Sequence, residues 1–154
     1  RQEVAMLYQD IVQSSGLQCA VIDVAGFALA NCFTNSWGRQ KGQTIALMNV
    51  GASVTNFVVI ENGEIVFCRD IPVGGLTYTS DIQKTLGISL EEAEAIKISA
   101  CTGQAAPDEV TKQIQMSHEV VAEEIQSSLD FFVNTTPGLP VQQCLITGGA
   151  VRYE

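Results

Sequence analysis

The chain has 154 residues, 46% hydrophobic and 16% charged, with seventeen acidic against eight basic residues and a formal net charge of −9. That composition excludes a disordered chain, and the lack of any Lys/Arg run speaks against tracking a phosphodiester backbone, so nucleic acid is not an expected partner. Apolar stretches such as Phe57 to Ile60 and Ile65 to Cys68 are far too short to cross a bilayer, and none follows a basic N-terminal region, so neither membrane insertion nor export is expected.

In chain order, Val4, Leu7, Tyr8, Ile11 and Val12 follow the spacing of an amphipathic helix, with Gly16 as its C-terminal stop. Cys19 to Val24 reads as a strand, and Phe27-Ala28-Leu29-Ala30 as a short helix running to about Phe33. Asn35 to Gln43, with Gly38 and Gly42, reads as a loop or hinge, and the main boundary is expected there. Three β-branched apolar runs follow: Thr44 to Val50, Val54 to Glu61 and Glu64 to Ile71. Asn62-Gly63 separates the last two, and both residues tolerate the positive φ of a type I′ turn, so a three-stranded antiparallel meander is expected.

Pro72 and Gly74-Gly75 end the meander, and Thr77 or Thr79 can cap a helix through about Leu86, stopped by Gly87. Ser89-Leu90-Glu91-Glu92 has the capping-box pattern and opens a second helix through Glu94 and Lys97. Pro107 is placed at the first turn of a long helix whose stripe of Val110, Ile114, Val121, Ile125, Leu129 and Phe132 reads as core. The one histidine, His118, falls on that stripe between Ile114 and Val121 and reads as a packed or edge residue, and Trp37 as an exposed aromatic or an anchor for a partner. Pro137 and Pro140 break the chain before a last strand, Gln143 to Thr147, which runs into Gly148-Gly149. Five widely spaced cysteines, Cys19, Cys32, Cys68, Cys101 and Cys144, form no CxxC pair and read as reduced core residues of a cytoplasmic protein.

Three pieces carry the chemistry. Asn49-Val50-Gly51-Ala52-Ser53-Val54-Thr55 is a small-residue turn after an apolar strand, which leaves backbone N–H groups open to a phosphate. Ala93-Glu94-Ala95-Ile96-Lys97 puts an acid and a base three apart on a helix, where a solvent-facing ion pair is the plain alternative. Gly148-Gly149-Ala150-Val151-Arg152 follows the last strand and lets the backbone pass close to a ligand, or is a simple strand-to-helix turn.

These motifs, with Ile22-Asp23, Arg69-Asp70-Ile71-Pro72 and Ile146-Thr147 in the same order, resemble the actin-like PilM family of type IV pilus assembly, and more distantly the division protein FtsA. The resemblance implies an α/β, ribonuclease H-like ATPase lobe: an antiparallel meander, helices and a returning strand, with an inserted helical subdomain over about 72–106. Residues 1–42 would be the end of a first lobe and its hinge, and 43–154 the second nucleotide-binding lobe, incomplete after the Gly-Gly motif. The start at Arg1 without a methionine agrees with a piece of a longer polypeptide.

Carried over by residue, Asn49, Gly51, Ala52, Ser53 and Thr55 would form a phosphate loop. Glu94 and Lys97 would reach the ribose and adenine, and Gly148, Gly149 and Arg152 would pass beside the nucleotide. The implied function is a cytoplasmic, ATP- or ADP-binding scaffold, with Mg²⁺ where bound, peripheral to the inner membrane and serving twitching motility. It would hold the N-terminal tail of a PilN-like membrane protein alongside other pilus assembly proteins, with self-association through an open edge as a further expectation. The family usually has an aspartate where this chain has Asn49; an amide lacks the charge that holds Mg²⁺, so binding with little or no hydrolysis is expected. The alternative is a phosphotransfer enzyme or ATPase of the sugar-kinase and actin superfamily.

Overall fold

Asn62 and Gly63 have φ of 54° and 83°, the left-handed pair that the hairpin requires. They join β2 (Thr55–Glu61) to β3 (Glu64–Ile71), and β1 (Thr44–Val50) pairs antiparallel with β2 from Thr44↔Glu61 to Val50↔Thr55, completing the meander. The computed structural model describes residues 2–104, 106–136 and 140–151. A fourth strand, β4 (Gln143–Thr147), lies parallel to β1, giving a sheet of order β3-β2-β1-β4. A parallel neighbour needs a long crossover. Three helices supply it: α3 (Gly75–Leu86), α4 (Leu90–Cys101) and the 28-residue α5 (Asp108–Thr135).

β1 and β2 are buried on both faces. Ala46, Met48, Phe57 and Val59 face Val121 and Phe132 of α5, while Ile45, Leu47, Val58 and Ile60 face Ala30 and Phe33 of α2 (Ala25–Trp37). At about 1.5–3 kcal/mol for each buried aliphatic or aromatic side chain, this two-sided burial outweighs any local propensity and makes β2 the centre of the fold. A third cluster, Ile82, Ala93, Val110 and Ile114, holds α3 and α4 against the start of α5. No helix of the described residues is long and apolar enough to cross a membrane.

Several expectations are corrected. Cys19 to Val24 forms no strand: no neighbour is available to complete its ladder among the described residues, and the segment is mostly exposed. The helix after it extends four residues beyond Phe33, to Trp37, whose ring stacks on Phe33 at 5.2 Å while staying exposed. The first helix forms, as α1 (Gln2–Ser14), yet its apolar stripe is not a core face: Val4, Leu7, Tyr8 and Ile11 are all about half exposed. The N-cap of α3 is Gly74 rather than Thr77 or Thr79; Thr77 lies at the third helical position, where its hydroxyl accepts from Gly74 N at 3.4 Å. Pro107 is the N-cap of α5, one residue before its first turn.

None of the cysteines is a core residue. Cys32 lies off the buried Ala30/Phe33 face of α2, Cys68 and Cys144 are exposed on the two outer strands, and Cys19 and Cys101 are half-buried. The Ser89 capping box forms as expected, with Glu92 N donating to Ser89 Oγ at 3.2 Å and Ser89 N to Glu92 Oε2 at 2.9 Å. His118 is an exposed edge residue whose ring meets that of Tyr78 at 5.2 Å. Arg152 and Pro137 lie outside the described residues.

Candidate functional site

The turn that joins β1 to β2 and the start of α3 are pressed together without side chains between them. Gly75 N donates to Gly51 O at 3.0 Å and Leu76 N to Ala52 O at 2.7 Å. A Cβ on Gly74 would lie 2.4 Å from Gly51 O and 2.7 Å from Ala52 O, so only glycine permits this approach. On the other side of the turn, Ala150 N donates to Val50 O at 3.1 Å, and Gly148, at φ +115°, brings its backbone so near Val50 that a Cβ would sit 2.3 Å from Val50 O.

Carbonyl and N–H of a planar trans peptide point in opposite directions. With Gly51 O and Ala52 O both directed at α3, the N–H groups of Ala52 and Ser53 are directed away from it. No acceptor among the described residues takes the N–H of Ala52, Ser53 or Gly149. Unsatisfied backbone donors on a turn of small residues suit an anion.

From α4, Lys97 and Glu94 reach back toward α3. Lys97 Nζ lies 2.7 Å from Glu94 Oε2, 2.9 Å from Thr79 Oγ1 and 3.1 Å from Gly75 O, and the Thr79 hydroxyl stands against both Gly75 O and the same Glu94 oxygen. Burial alone pushes the Glu94 carboxyl up, but hydrogen bonds from Lys97 and Thr79 and the Lys97 charge outweigh it, so the group ends below its ordinary value and is ionised at neutral pH.

Turn, α3, α4 and the segment after β4 enclose a cavity of about 560 Å³, lined by Gly51, Ala52, Gly75, Thr79, Glu94, Lys97, Gly149 and Ala150 among others. That size lies within the range of small-molecule sites. It shares Gly75, Glu94, Lys97, Gly149 and Ala150 with a second cavity of about 340 Å³, which continues past Ile98 to Tyr78, Cys101 and His118. There burial pushes the Cys101 thiol up, with Lys97 opposing and Glu94 adding to the shift, so the neutral thiol faces the space.

Of the expected site residues, Gly51, Ala52, Glu94, Lys97 and Gly149 therefore line one cavity, and Gly148 shapes the backbone behind it. Ser53 is exposed at the tip of the same turn and outside the lining. Thr55 is not brought to the cavity: it is fully buried and its hydroxyl donates to Val73 O at 2.8 Å, pinning the first residue of β2 to the start of the crossover. Asn49 also lies outside the lining. It belongs to a row across the sheet in which Asn49 Nδ2 donates to Asn56 Oδ1 at 3.0 Å and Asn56 Nδ2 to Asp70 Oδ1 at 2.8 Å. A carboxylate oxygen accepts, so Asp70 fixes the sense of both amides and leaves Asn49 Oδ1 as the acceptor at the end of the row. Sequence reading missed Thr79 as part of the site. A hydroxyl inside a helix gives no motif, and its position is meaningful only once α4 is seen beside it.

The family model of the type IV pilus assembly protein PilM matches residues 1–154, the whole chain. The chain belongs to the PilM family. Cell division protein FtsA of Streptococcus pneumoniae is 30% identical over 117 residues, covering 74% of this chain and 25% of that protein. Among solved structures, a PilM-PilN type IV pilus biogenesis complex matches with TM-score 0.81 and 21% identity over 97% of this chain and 42% of that one. MreB5 of Spiroplasma citri, bound to ADP, matches with TM-score 0.64 and 18% identity over 94% of this chain and 53% of that one. The fold is thus the actin-like α/β lobe expected from the sequence, and the chain spans less than half the length of these PilM and FtsA relatives.

Proposed function

We propose that this PilM-family chain is the nucleotide-binding lobe of a type IV pilus assembly scaffold. The observation that carries the reading is the convergence on one cavity of four segments far apart in sequence: the Gly51-Ala52 turn, the start of α3, the Glu94/Lys97 face of α4 and Gly149-Ala150. Donors at the turn suit phosphates, and the Glu94 carboxylate suits the hydroxyls of a sugar. MreB5, of the same fold, is a structure bound to ADP, which agrees with an adenine nucleotide here. Bound nucleotide would set the angle of this lobe against the rest of the protein by differential affinity.

A divalent ion fits the described residues poorly. They contain no group of three or more His, Cys, Asp or Glu side chains arranged to hold a metal. Asn49 offers a neutral oxygen in place of a carboxylate, which favours binding with little or no hydrolysis over the phosphotransfer alternative. By likeness to the PilM-PilN complex, the partner is a PilN-like membrane protein, which would hold the scaffold at the inner membrane from the cytoplasmic side together with other assembly proteins. The exposed outer strand β4 suits pairing with another segment or copy.

The test is calorimetry with ATP and ADP on the full-length protein and its Gly149→Val variant. A Cβ at Gly149 meets no atom within 4 Å, so the fold should be untouched while the cavity is obstructed. Binding by the parent that drops at least tenfold in the variant, at unchanged thermal stability, is the expected result. Equal affinity in both would overturn the site.

A further inference from the structure

The buried stripe of α5 leaves the opposite side of this 28-residue helix to solvent. On that side Met116, Val120 and Phe131 are 60%, 49% and 53% exposed. Spaced at i, i+4 and i+15, they fall within about 60° of one another around the helix, in a row about 22 Å long. The row continues onto the sheet, because the Phe131 ring lies 6.0 Å from that of Phe67 on β3. Exposed carboxylates border it, Glu119, Glu123 and Asp130 along one side and Glu124 along the other. From Gln113 to Val151 the sequence has no Lys or Arg. None of the four carboxylates has a basic partner among the described residues, and Asp130 accepts only from Gln126 Nε2, at 2.7 Å. Glu119 and Glu123 are one turn apart, where like charges oppose helix formation. Scattered apolar side chains on a surface carry no message; a row of them set between unrelieved charges of one sign does.

We propose that this face of α5 docks a helical segment of a partner protein whose apolar stripe is flanked by Lys and Arg. Laid along α5, such a segment buries its stripe on Met116, Val120 and Phe131 and sets its bases against the four carboxylates, and the length of the row matches about four turns of helix. The flexible thioether of Met116 adapts to the shape it meets. A second copy of this chain is a poor occupant. An isologous contact would set the carboxylates against their own images, and Arg39, Lys41, Arg69, Lys84, Lys97 and Lys112 are spread over a loop, a strand and three helices with no stripe to offer in return. Anionic headgroups and nucleic acid are repelled by the same charges. No residue of the row or its border lines either cavity, so the proposal does not rest on the nucleotide reading.

The experiment uses the full-length protein and two labelled probe peptides of about eighteen residues. Both are made of the same Leu, Lys and Ala residues, one with its leucines on a single helical face and the other scrambled. Fluorescence anisotropy should show the amphipathic peptide binding at least about tenfold more tightly than the scrambled one, and weakening as salt rises. Met116→Ser/Val120→Ser and Glu119→Lys/Glu123→Lys, all at exposed positions, should each weaken it by about tenfold or more at unchanged thermal stability, while Glu3→Lys on α1 binds like the parent. No binding by the parent, or equal binding of the two peptides, overturns the proposal, as does parental affinity in either double variant. Amide ¹⁵N shifts locate the contact without any substitution: changes centred on α5 are expected, and changes confined to other elements refute it. Self-association of the parent that Met116→Ser/Val120→Ser abolishes would seat a second copy on the face. Binding to phosphatidylglycerol vesicles that the same variant abolishes would seat a bilayer there. Either result overturns the partner assigned here.

Discussion

Replacing Gly74 by alanine isolates the close approach on which the cavity is built. Gly74 has φ −176°, extended backbone that any residue adopts, so the substitution carries no backbone strain and its effect is steric alone. The added Cβ would lie 2.4 Å from Gly51 O, where ordinary contact begins at 3.4 Å, so the turn and α3 must separate by about 1 Å. The obstructing atoms are backbone carbonyls, with no flexible end that could give way. Opening by that amount takes Gly75 N···Gly51 O and Leu76 N···Ala52 O from 3.0 and 2.7 Å to the limit of hydrogen bonding or beyond. At about 0.5–1.5 kcal/mol for each bond, with overpacking of similar size, the cost is about 2–4 kcal/mol. With an m-value of about 2 kcal/mol/M, the urea midpoint should fall by about 1–2 M. Gly149→Ala is the control, because its Cβ meets nothing, and its midpoint should match the parent. A Gly74→Ala midpoint within about 0.3 M of the parent, at equal m-value, would refute the claim that backbone contact alone holds turn and helix together.

Phe132 is fully buried between α5 and the sheet, with its ring 5.6 Å from that of Phe67; Phe132→Ala should cost about 3–5 kcal/mol by urea denaturation and leave the α4 side of the site unchanged. Glu94 is held below its ordinary value of 4.5, so its interactions stabilise the fold above that pH and are lost as the pH falls through the lower folded value. Glu94→Gln should therefore be less stable than the parent at pH 7, with the difference shrinking below pH 4.5; a pH-independent difference would refute the assignment. For Asn49, phosphate release from ATP by the full-length protein should stay at background and be unaltered in Asn49→Ala, and release that the substitution abolishes would restore the enzyme reading.

The meander was legible because every determinant is local: apolar runs of strand length and an Asn-Gly pair that fits one turn type. The capping box of α4 was legible for the same reason. What could not be read was pairing at a distance. Nothing in Cys19 to Val24 announces that no neighbouring strand stands beside it among the described residues, and nothing in Gln143 to Thr147 announces β1 as its partner. At the site, the turn motif suggests Thr55 as a phosphate contact, but it is the first residue of a strand buried on both faces, and its hydroxyl goes to Val73 O instead. The saturation of Lys97 depends on Gly75 O, a backbone atom brought in from another helix, which no side-chain motif can signal.

The same backbone geometry bears on where an anion would sit. A helix N-terminus is the usual anion site of an α/β fold, since its first N–H groups are unpaired. In α3 those of Gly75 and Leu76 are taken by Gly51 O and Ala52 O, and that of Thr77 by Gly74 O at 3.0 Å. The helix end is thereby closed, and the peptides that close it present their own N–H groups on the opposite side. Donor character is moved from α3 onto the Ala52-Ser53 turn, while the far end of the cavity carries the Glu94 carboxylate. On the nucleotide reading these two ends impose a direction, phosphates toward the turn and nucleoside toward α4, and an inverted ligand would set phosphate against carboxylate. The direction survives whether or not a metal ion takes part, because it is set by peptide planes and one ionised side chain rather than by Asn49.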